Sequence, residues 1–172
     1  MKKSPIAQQN RRRHQQKVMI WGYMCSNGLG RLYRVEGSMR SNQYLKVLED
    51  YMIPSATELF DGRPFLYQQD NAPCHKSRVV MSYLGKLEST GVLTVLKWPA
   101  CSPDLSPIEN LWSILDKRLQ NRAPRDSNEL FNVLQSGRNE LSQDKTLITN
   151  LTRSMPKRLH CCLESKGLPI KY

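Results

Sequence analysis

The acidic residue Asp70 stands where an apolar, β-prone run ends and a polar loop begins, in the segment QQDNAPCHKS. The ends of strands are where α/β sheets present functional side chains. The sequence Asp-Asn-Ala-Pro is also ordinary turn chemistry, so a purely structural role would explain it as well. Asp70 is therefore a candidate functional residue, with a role in the loop as the alternative.

A second acidic residue, Glu109, follows Ser106, Pro107 and Ile108 at the predicted start of a helix. With Ser106 as the N-cap and Glu109 at the third helical position, this segment is typical of a capping box, in which the glutamate folds back onto the backbone. Taken alone, the segment predicts capping. A functional role for Glu109 becomes the better interpretation only when the two segments are considered together.

Three other groups of side chains could carry chemistry, and each has a structural interpretation. His75 is suited to proton transfer or to orienting phosphate, but a loop hydrogen bond is the favoured prediction. Three tryptophans could stack on bases, although their apolar neighbours favour core packing. They are Trp21, Trp98 and Trp112. Residues 160–162, His-Cys-Cys, lack the Cys-x2-Cys spacing of zinc sites, so no zinc site is predicted.

The hydrophobic pattern indicates which elements precede Asp70. Residues 18–24 and 31–35 are β-prone runs on either side of the turn sequence Ser-Asn-Gly-Leu-Gly, which predicts a hairpin. Apolar residues at helical spacing then predict a helix that is capped by Ser41 and interrupted by Pro54. A short strand over residues 64–69 leads into Asp70. The hairpin and this strand are separated only by the predicted helix.

The elements after Asp70 are predicted in the same way. A helix with apolar positions between residues 79 and 87 is followed by a strand over residues 92–96. Ser106 and Pro107 open a further helix, and the chain to about residue 166 is helical with breaks. The predicted order is therefore β-β-α-β-α-β with a helical C-terminus.

The overall charge points to a polyanionic partner. Lys and Arg number 26 against 15 Asp and Glu, which gives a net charge of +11 and a pI near 9.6. No acid precedes Glu36, and residues 1–16 have few apolar side chains, so we predict a disordered basic tail followed by one domain over residues 17–172. The side chains predicted to contact DNA are Lys2, Lys3, Arg11, Arg12, Arg13 and Lys17.

The number of cysteines and the hydropathy of the chain indicate the cellular compartment in which it is expected. Five cysteines, an odd number, and the lack of a signal-like apolar run predict reduced thiols inside the cell. No segment approaches the ~20 continuous apolar residues that cross a bilayer, so a soluble protein without a membrane partner is expected.

The segments QQDNAPCH and WPACSPDLSPIENLW together resemble the second and third catalytic blocks of mariner-like transposases in the DDE superfamily. The resemblance begins at the hairpin and covers most of the chain. It implies that Asp70 and Glu109 are catalytic metal ligands, whereas Asp104 corresponds to a loop residue. The 38 residues between the two ligands are somewhat more than the commonest members have, which indicates a divergent lineage.

The resemblance implies a ribonuclease-H-like α/β fold, in which helices flank a mixed sheet. The family's third ligand is an aspartate on the first strand of that sheet, upstream of the hairpin. No Asp or Glu precedes Glu36, and Asp50 and Asp61 follow the hairpin, so this strand is predicted to be missing. The hairpin then either pairs directly with the strand before Asp70 or leaves a gap with unpaired backbone groups. Both arrangements predict low stability.

The chemistry that the resemblance implies uses Mg²⁺ or Mn²⁺ to activate a water or a DNA 3′-hydroxyl and to stabilise the leaving oxygen. With two of three ligands, weak metal binding is expected. The leading hypothesis is a transposase-derived domain of the nucleus that binds double-stranded DNA but is impaired in transposition and integration. The alternatives are an active DNA endonuclease and strand transferase completed by a partner chain, and a non-functional transposon remnant; a homo-oligomer is left open.

Overall fold

The structure is a computed structural model that describes residues 17–100, 102–120 and 122–170. The predicted basic tail, with Lys2, Lys3 and the arginines at 11–13, lies outside the described residues. The strands are β1 (Met19–Trp21), β2 (Met24–Cys25), β3 (Gly28–Leu29), β4 (Tyr33–Val35), β5 (Phe65–Tyr67) and β6 (Leu93–Val95). The helices are α1 (Ser41–Val47), α2 (Ile53–Leu59), α3 (Arg78–Ser89), α4 (Pro107–Leu119), α5 (Ser127–Gln143), α6 (Lys145–Arg153) and α7 (Met155–Glu164).

The predicted hairpin is present as two short antiparallel ladders. β1 pairs with β4 and β2 pairs with β3, and the backbone N–H of Gly30 joins the ladders by donating to the Tyr23 carbonyl oxygen at 2.9 Å. A Cβ atom on Gly30 would lie 1.9 Å from the Tyr23 ring, so only glycine fits there. This close approach explains why the turn region needs a glycine after the tip of the hairpin.

The prediction that Pro54 interrupts the first helix is wrong. A π-helical segment, Leu48–Met52, joins α1 directly to α2, and Pro54 lies in the first turn of α2. The backbone N–H of Ile53 donates to the Leu48 carbonyl oxygen, a wider turn that lets the chain continue past a residue without an N–H. The predicted cap is also displaced, because Ser41 is the first helical residue and Arg40 occupies the cap position.

The Asp70 strand, β5, pairs in parallel with β6, and α3 connects the two strands. These elements, together with α1, the π-helical segment and α2, enclose the first hydrophobic core. Its fully buried members include Leu48, Val80 and Leu84, each with no exposed surface. Because burying such side chains contributes about 1.5–3 kcal/mol each, this core holds the strand that leads to Asp70 in place.

A second hydrophobic core joins the hairpin to the C-terminal helices. It contains Leu29 from β3 together with Leu111, Leu115, Leu141 and Ile148 from α4, α5 and α6. Two arginines add polar contacts across this boundary. Arg34 Nη1 donates to Asn128 Oδ1 at 2.6 Å, and Arg138 Nε donates to the Gly30 carbonyl oxygen at 2.9 Å. The hairpin is therefore packed against the helices that follow Glu109.

Two helical glycines should respond to alanine substitution in opposite directions. A Cβ on Gly137 of α5 would lie 2.7 Å from Leu115, so Gly137→Ala should destabilise the protein by about 1–3 kcal/mol through overpacking. A Cβ on Gly85 of α3 would meet no atom within 4 Å, so Gly85→Ala should add about 0.5–1 kcal/mol through helix propensity. Urea melts of the two variants measure both effects, and equal shifts would contradict the packing of α4 against α5.

The described strands occur only in pairs, and no described strand adjoins the second edge of β1 or of β5. Of the two arrangements predicted for a missing first strand, direct pairing of the hairpin with the Asp70 strand is therefore wrong for this part of the chain. The described residues instead fit the second arrangement, in which a gap separates the edge of β1 from the edge of β5. The low stability expected from such a gap stays a prediction.

Candidate active site

Asp70 lies three residues beyond the end of β5, as predicted, in a loop that is stabilised by its own side chain. Its Oδ1 atom accepts the backbone N–H of Ala72 at 3.0 Å and lies 2.5 Å from His75 Nδ1. The loop hydrogen bond predicted for His75 is thus confirmed. The Asp70 side chain remains 72% exposed, and no described residue forms a hydrogen bond to its Oδ2 atom. One carboxylate oxygen is held while the other faces outward.

A buried polar network lies directly behind this loop. The Tyr44 ring packs on the His75 ring with centroids 4.0 Å apart, and its hydroxyl donates to Gln69 Oε1 at 2.7 Å. Because that hydroxyl has a single proton, it must accept the proton of the Tyr67 hydroxyl, which is also 2.7 Å away. Burial raises the pKa of both tyrosines, so both remain neutral hydrogen-bonding groups at physiological pH. The network links the core to His75 and so to Asp70.

The chain after β6 returns to the Asp70 loop. The side-chain Nδ2 of Asn71 donates to the Trp98 carbonyl oxygen at 2.9 Å, and the Leu96 N–H donates to the Tyr67 carbonyl oxygen at 2.9 Å. The Leu96 bond continues the register of the parallel β5–β6 pair, and the Asn71 side chain connects the Asp70 loop to the chain beyond β6. The Trp98-Pro99 dipeptide, which begins the motif that contains Glu109, is therefore held next to the motif that contains Asp70.

Glu109 lies in the first turn of α4, where it was predicted, but the capping box is wrong. Ser106 is at the cap position without a side-chain hydrogen bond, and the Glu109 N–H donates to the Ser106 carbonyl oxygen at 3.2 Å. The Glu109 carboxylate is exposed and takes no hydrogen bond from the described residues. The Ser106 N–H, which the glutamate of a capping box would accept, donates instead to the Pro103 carbonyl oxygen at 2.9 Å, so the Glu109 carboxylate is available for another role.

Asp104 is a loop residue, as expected, and lies in the 3₁₀ turn Pro103–Leu105 that precedes α4. Its Oδ2 atom accepts the backbone N–H of Ile170 at 2.9 Å, and its carbonyl oxygen accepts from Arg158 Nη1 at 2.6 Å. The Asp104 carboxylate thus has a structural partner, whereas the Glu109 carboxylate has none among the described residues.

The remaining candidate residues differ in their surroundings. Trp21 packs against the first core and Trp112 against the second, as predicted, whereas Trp98 belongs to neither. Lys17 is exposed and lies two residues before the start of β1. No group of three or more His, Cys, Asp or Glu side chains in the described ranges is arranged to hold a metal ion. Within those ranges, no helix is long and apolar enough to span a membrane.

Sequence reasoning missed several residues near the candidate ligands. Lys76 and Arg78 are exposed and follow Asp70 closely, and their basic side chains directly after the motif were a usable signal. Tyr44 and Arg158 are fully buried, and their roles depend on contacts with residues far away in the chain. No local pattern marks either of them.

Residues 2–131 match the family described as DDE superfamily endonuclease, which is more than half of the chain. The chain belongs to this family. It is 34% identical over 155 residues to the transposable element Tcb1 transposase of Caenorhabditis briggsae, and 35% identical over 155 residues to the transposable element Tc1 transposase of Caenorhabditis elegans. Each match covers 90% of this chain and 54% of the relative, so the chain spans about half the length of these relatives.

Solved structures of the Mos1 mariner transposase share the fold of this DDE family member. Its catalytic domain superposes with a TM-score of 0.74 at 20% identity, covering 91% of this chain and 77% of that one. Its paired-end complex with Mn superposes with a TM-score of 0.77 at 19% identity, covering 99% of this chain and 52% of that one. The predicted ribonuclease-H-like α/β fold with a helical C-terminus is confirmed.

Proposed function

We propose that this DDE family member is a transposase-derived domain that binds double-stranded DNA and has an incomplete metal site formed by Asp70 and Glu109. The observation that carries the proposal is the number of available acids. The family resemblance implies three carboxylates, and this chain supplies two at the matching positions. The similar transposase structures, which include a strand transfer complex and a complex with a left transposon end, support DNA as the partner.

The other acids that could complete the site are engaged elsewhere. Asp50 lies in the π-helical segment and pairs with Lys46 at 3.0 Å, and Asp61 pairs with Arg63 at 3.4 Å in the turn after α2. Both follow the hairpin, whereas the resemblance implies an aspartate upstream of it. We therefore propose that catalysis of transposition and DNA integration is impaired in this chain, and that it acts in the nucleus, where chromosomal DNA lies.

The donor chemistry of the two carboxylates suits a hard cation. Mg²⁺ or Mn²⁺ would activate a water or a 3′-hydroxyl when bound. Asp70 would hold the ion through Oδ2, because Oδ1 is engaged by Ala72 and His75. Glu109 would contribute its exposed carboxylate. With one ligand fewer than the resemblance implies, binding of the ion should be weak.

A second candidate function is supported by the edges of β1 and β5 that no described strand pairs with. A strand from a partner chain could pair with these edges, because each offers free backbone donors and acceptors. If that strand carried an aspartate, the completed protein would be a metal-dependent DNA endonuclease and strand transferase. A transposon remnant that folds poorly is a third hypothesis, and a cooperative thermal melt would argue against it.

A plasmid-nicking assay tests the leading proposal. The purified chain with Mg²⁺ or Mn²⁺ should convert no supercoiled plasmid to the nicked form above the level of a metal-free control, because the ions are underliganded. The matched variants are Asp70→Asn and Glu109→Gln. Nicking by the unmodified chain that disappears in both variants would contradict the proposal and favour the second candidate function.

A further inference from the structure

Arg158 of α7 is a buried arginine whose guanidinium faces the segment that carries Glu109. The residue is 1% exposed. Its Nη1 donates to the Asp104 carbonyl oxygen at 2.6 Å, its Nη2 to Asn110 Oδ1 at 2.6 Å, and its Nε to Ser154 Oγ at 2.8 Å. A guanidinium is planar and rigid, so bonds from its two ends fix the separation of their acceptors.

The two acceptors of the outer nitrogens lie on opposite sides of the start of α4. Asp104 belongs to the 3₁₀ turn before the helix, and Asn110 directly follows Glu109 within it. This junction lacks a side-chain cap, because Ser106 at the cap position forms no side-chain hydrogen bond. The guanidinium therefore spans a junction that has no side-chain cap of its own.

A second contact from the C-terminal segment acts on the same turn. The backbone N–H of Ile170, beyond α7, donates to Asp104 Oδ2 at 2.9 Å. The segment that begins at α7 thus contacts Asp104 twice, once at its carbonyl oxygen and once at its carboxylate. This arrangement connects the end of the described chain to the turn that precedes Glu109.

We propose that Arg158 is a positioning residue for Glu109. By holding the Asp104 carbonyl and the Asn110 side chain at a fixed separation, it sets the orientation of the first turn of α4 and hence the direction of the Glu109 carboxylate. The significance of this positioning rests on the proposed function, in which Glu109 is a metal ligand. The C-terminal helix thereby contributes to the site without contributing a ligand.

Site-resolved amide exchange on the full chain tests the proposal. In Arg158→Met, exchange of the Ser106 and Glu109 amides should rise about tenfold or more relative to the Leu84 amide in α3, because charged hydrogen bonds to this turn are lost. Arg158→Lys should give an intermediate rise, since one ammonium cannot span both acceptors. Asn110→Ala removes one acceptor and gives a milder variant that serves if Arg158→Met does not fold.

The matched control is Arg138→Met, which removes an arginine that donates to the Leu29 and Gly30 carbonyl oxygens of the hairpin instead. It should accelerate exchange at Gly30 and leave the α4 turn unchanged relative to Leu84. Unchanged exchange at the α4 turn in both Arg158→Met and Asn110→Ala would overturn the proposal. So would equal acceleration of the turn by Arg138→Met, because Arg158 would then act only through overall stability.

Mn²⁺ broadening of amide signals separates this proposal from the proposed function. In the unmodified chain, Mn²⁺ should broaden the amide signal of Asn71, which directly follows Asp70, and the amide signal of Glu109 itself. In Arg158→Met, broadening should persist at Asn71 and decline at Glu109. If the unmodified chain shows no broadening, the proposed metal site fails, while the exchange rates still decide whether Arg158 positions the turn.

Discussion

Raising the salt concentration from about 50 to 200 mM should lower the affinity of this chain for duplex DNA by about 10³-fold, if the six basic N-terminal residues contact phosphates. Each neutralised phosphate releases counterions and contributes about −0.9 to the slope of log affinity against log salt. Phosphate contacts carry no sequence information, so two unrelated duplexes should bind alike. Fluorescence anisotropy with both duplexes measures affinity and preference.

A pair of triple variants tests which basic residues form this interface. Replacing Arg11, Arg12 and Arg13 with Gln should reduce the magnitude of the salt slope by about 2.7. The control replaces three exposed arginines that lie in or next to α4 and α6, namely Arg118, Arg122 and Arg153. The control should change the slope less. A flat salt dependence of the unmodified chain would rule out the electrostatic account, and equal slopes in the two variants would rule out the N-terminal interface.

Tyr44→Ala should lower the free energy of unfolding by about 3–5 kcal/mol, which is the largest stability change expected for a single residue near the site. Tyr44 is 1% exposed, and its ring contacts both Trp21 and His75. Removing the ring opens a cavity in the first core and removes the packing surface of His75. The hydrogen bond between His75 and Asp70 should then loosen.

Tyr44→Phe isolates the contribution of the hydroxyl group. It keeps the ring but leaves the Tyr67 hydroxyl and Gln69 Oε1 without their shared partner, which should cost about 1–3 kcal/mol. Tyr83→Phe is the matched control, because no described residue forms a hydrogen bond to the Tyr83 hydroxyl, and its effect should be within about 0.5 kcal/mol. Urea melts of the three variants provide the comparison. Equal effects of the two phenylalanine substitutions would contradict the buried network.

Local sequence patterns were enough to place both candidate ligands. A β-prone run before Asp70 and a Ser-Pro helix start before Glu109 predict their positions, because strand ends and helix starts depend on residues close together in the chain. The order of strands and helices follows from the same periodicity. That no Asp or Glu precedes Glu36 could also be read directly, since it is a statement about residue types alone. The metal-ligand roles themselves came from the resemblance.

Local patterns failed where distant residues decide the outcome. Pro54 predicts a break, yet the π-helical turn before it and the core on either side keep the helical segment continuous. The Ser106 and Glu109 pattern predicts a capping box, yet Arg158 holds the turn from 48 residues beyond Asn110. The capping-box interpretation of Glu109 is therefore wrong.

The sequence by itself determined the fold family, the order of the elements and the two acids that stand at a strand end and a helix start. Only the tertiary structure decided how those acids are held: His75 and Tyr44 behind Asp70, and Arg158 behind the turn before Glu109. The physical reason is sequence separation. Propensity and periodicity act over a few neighbouring residues, whereas each of these supports depends on an element from another part of the chain, and packing alone brings them together.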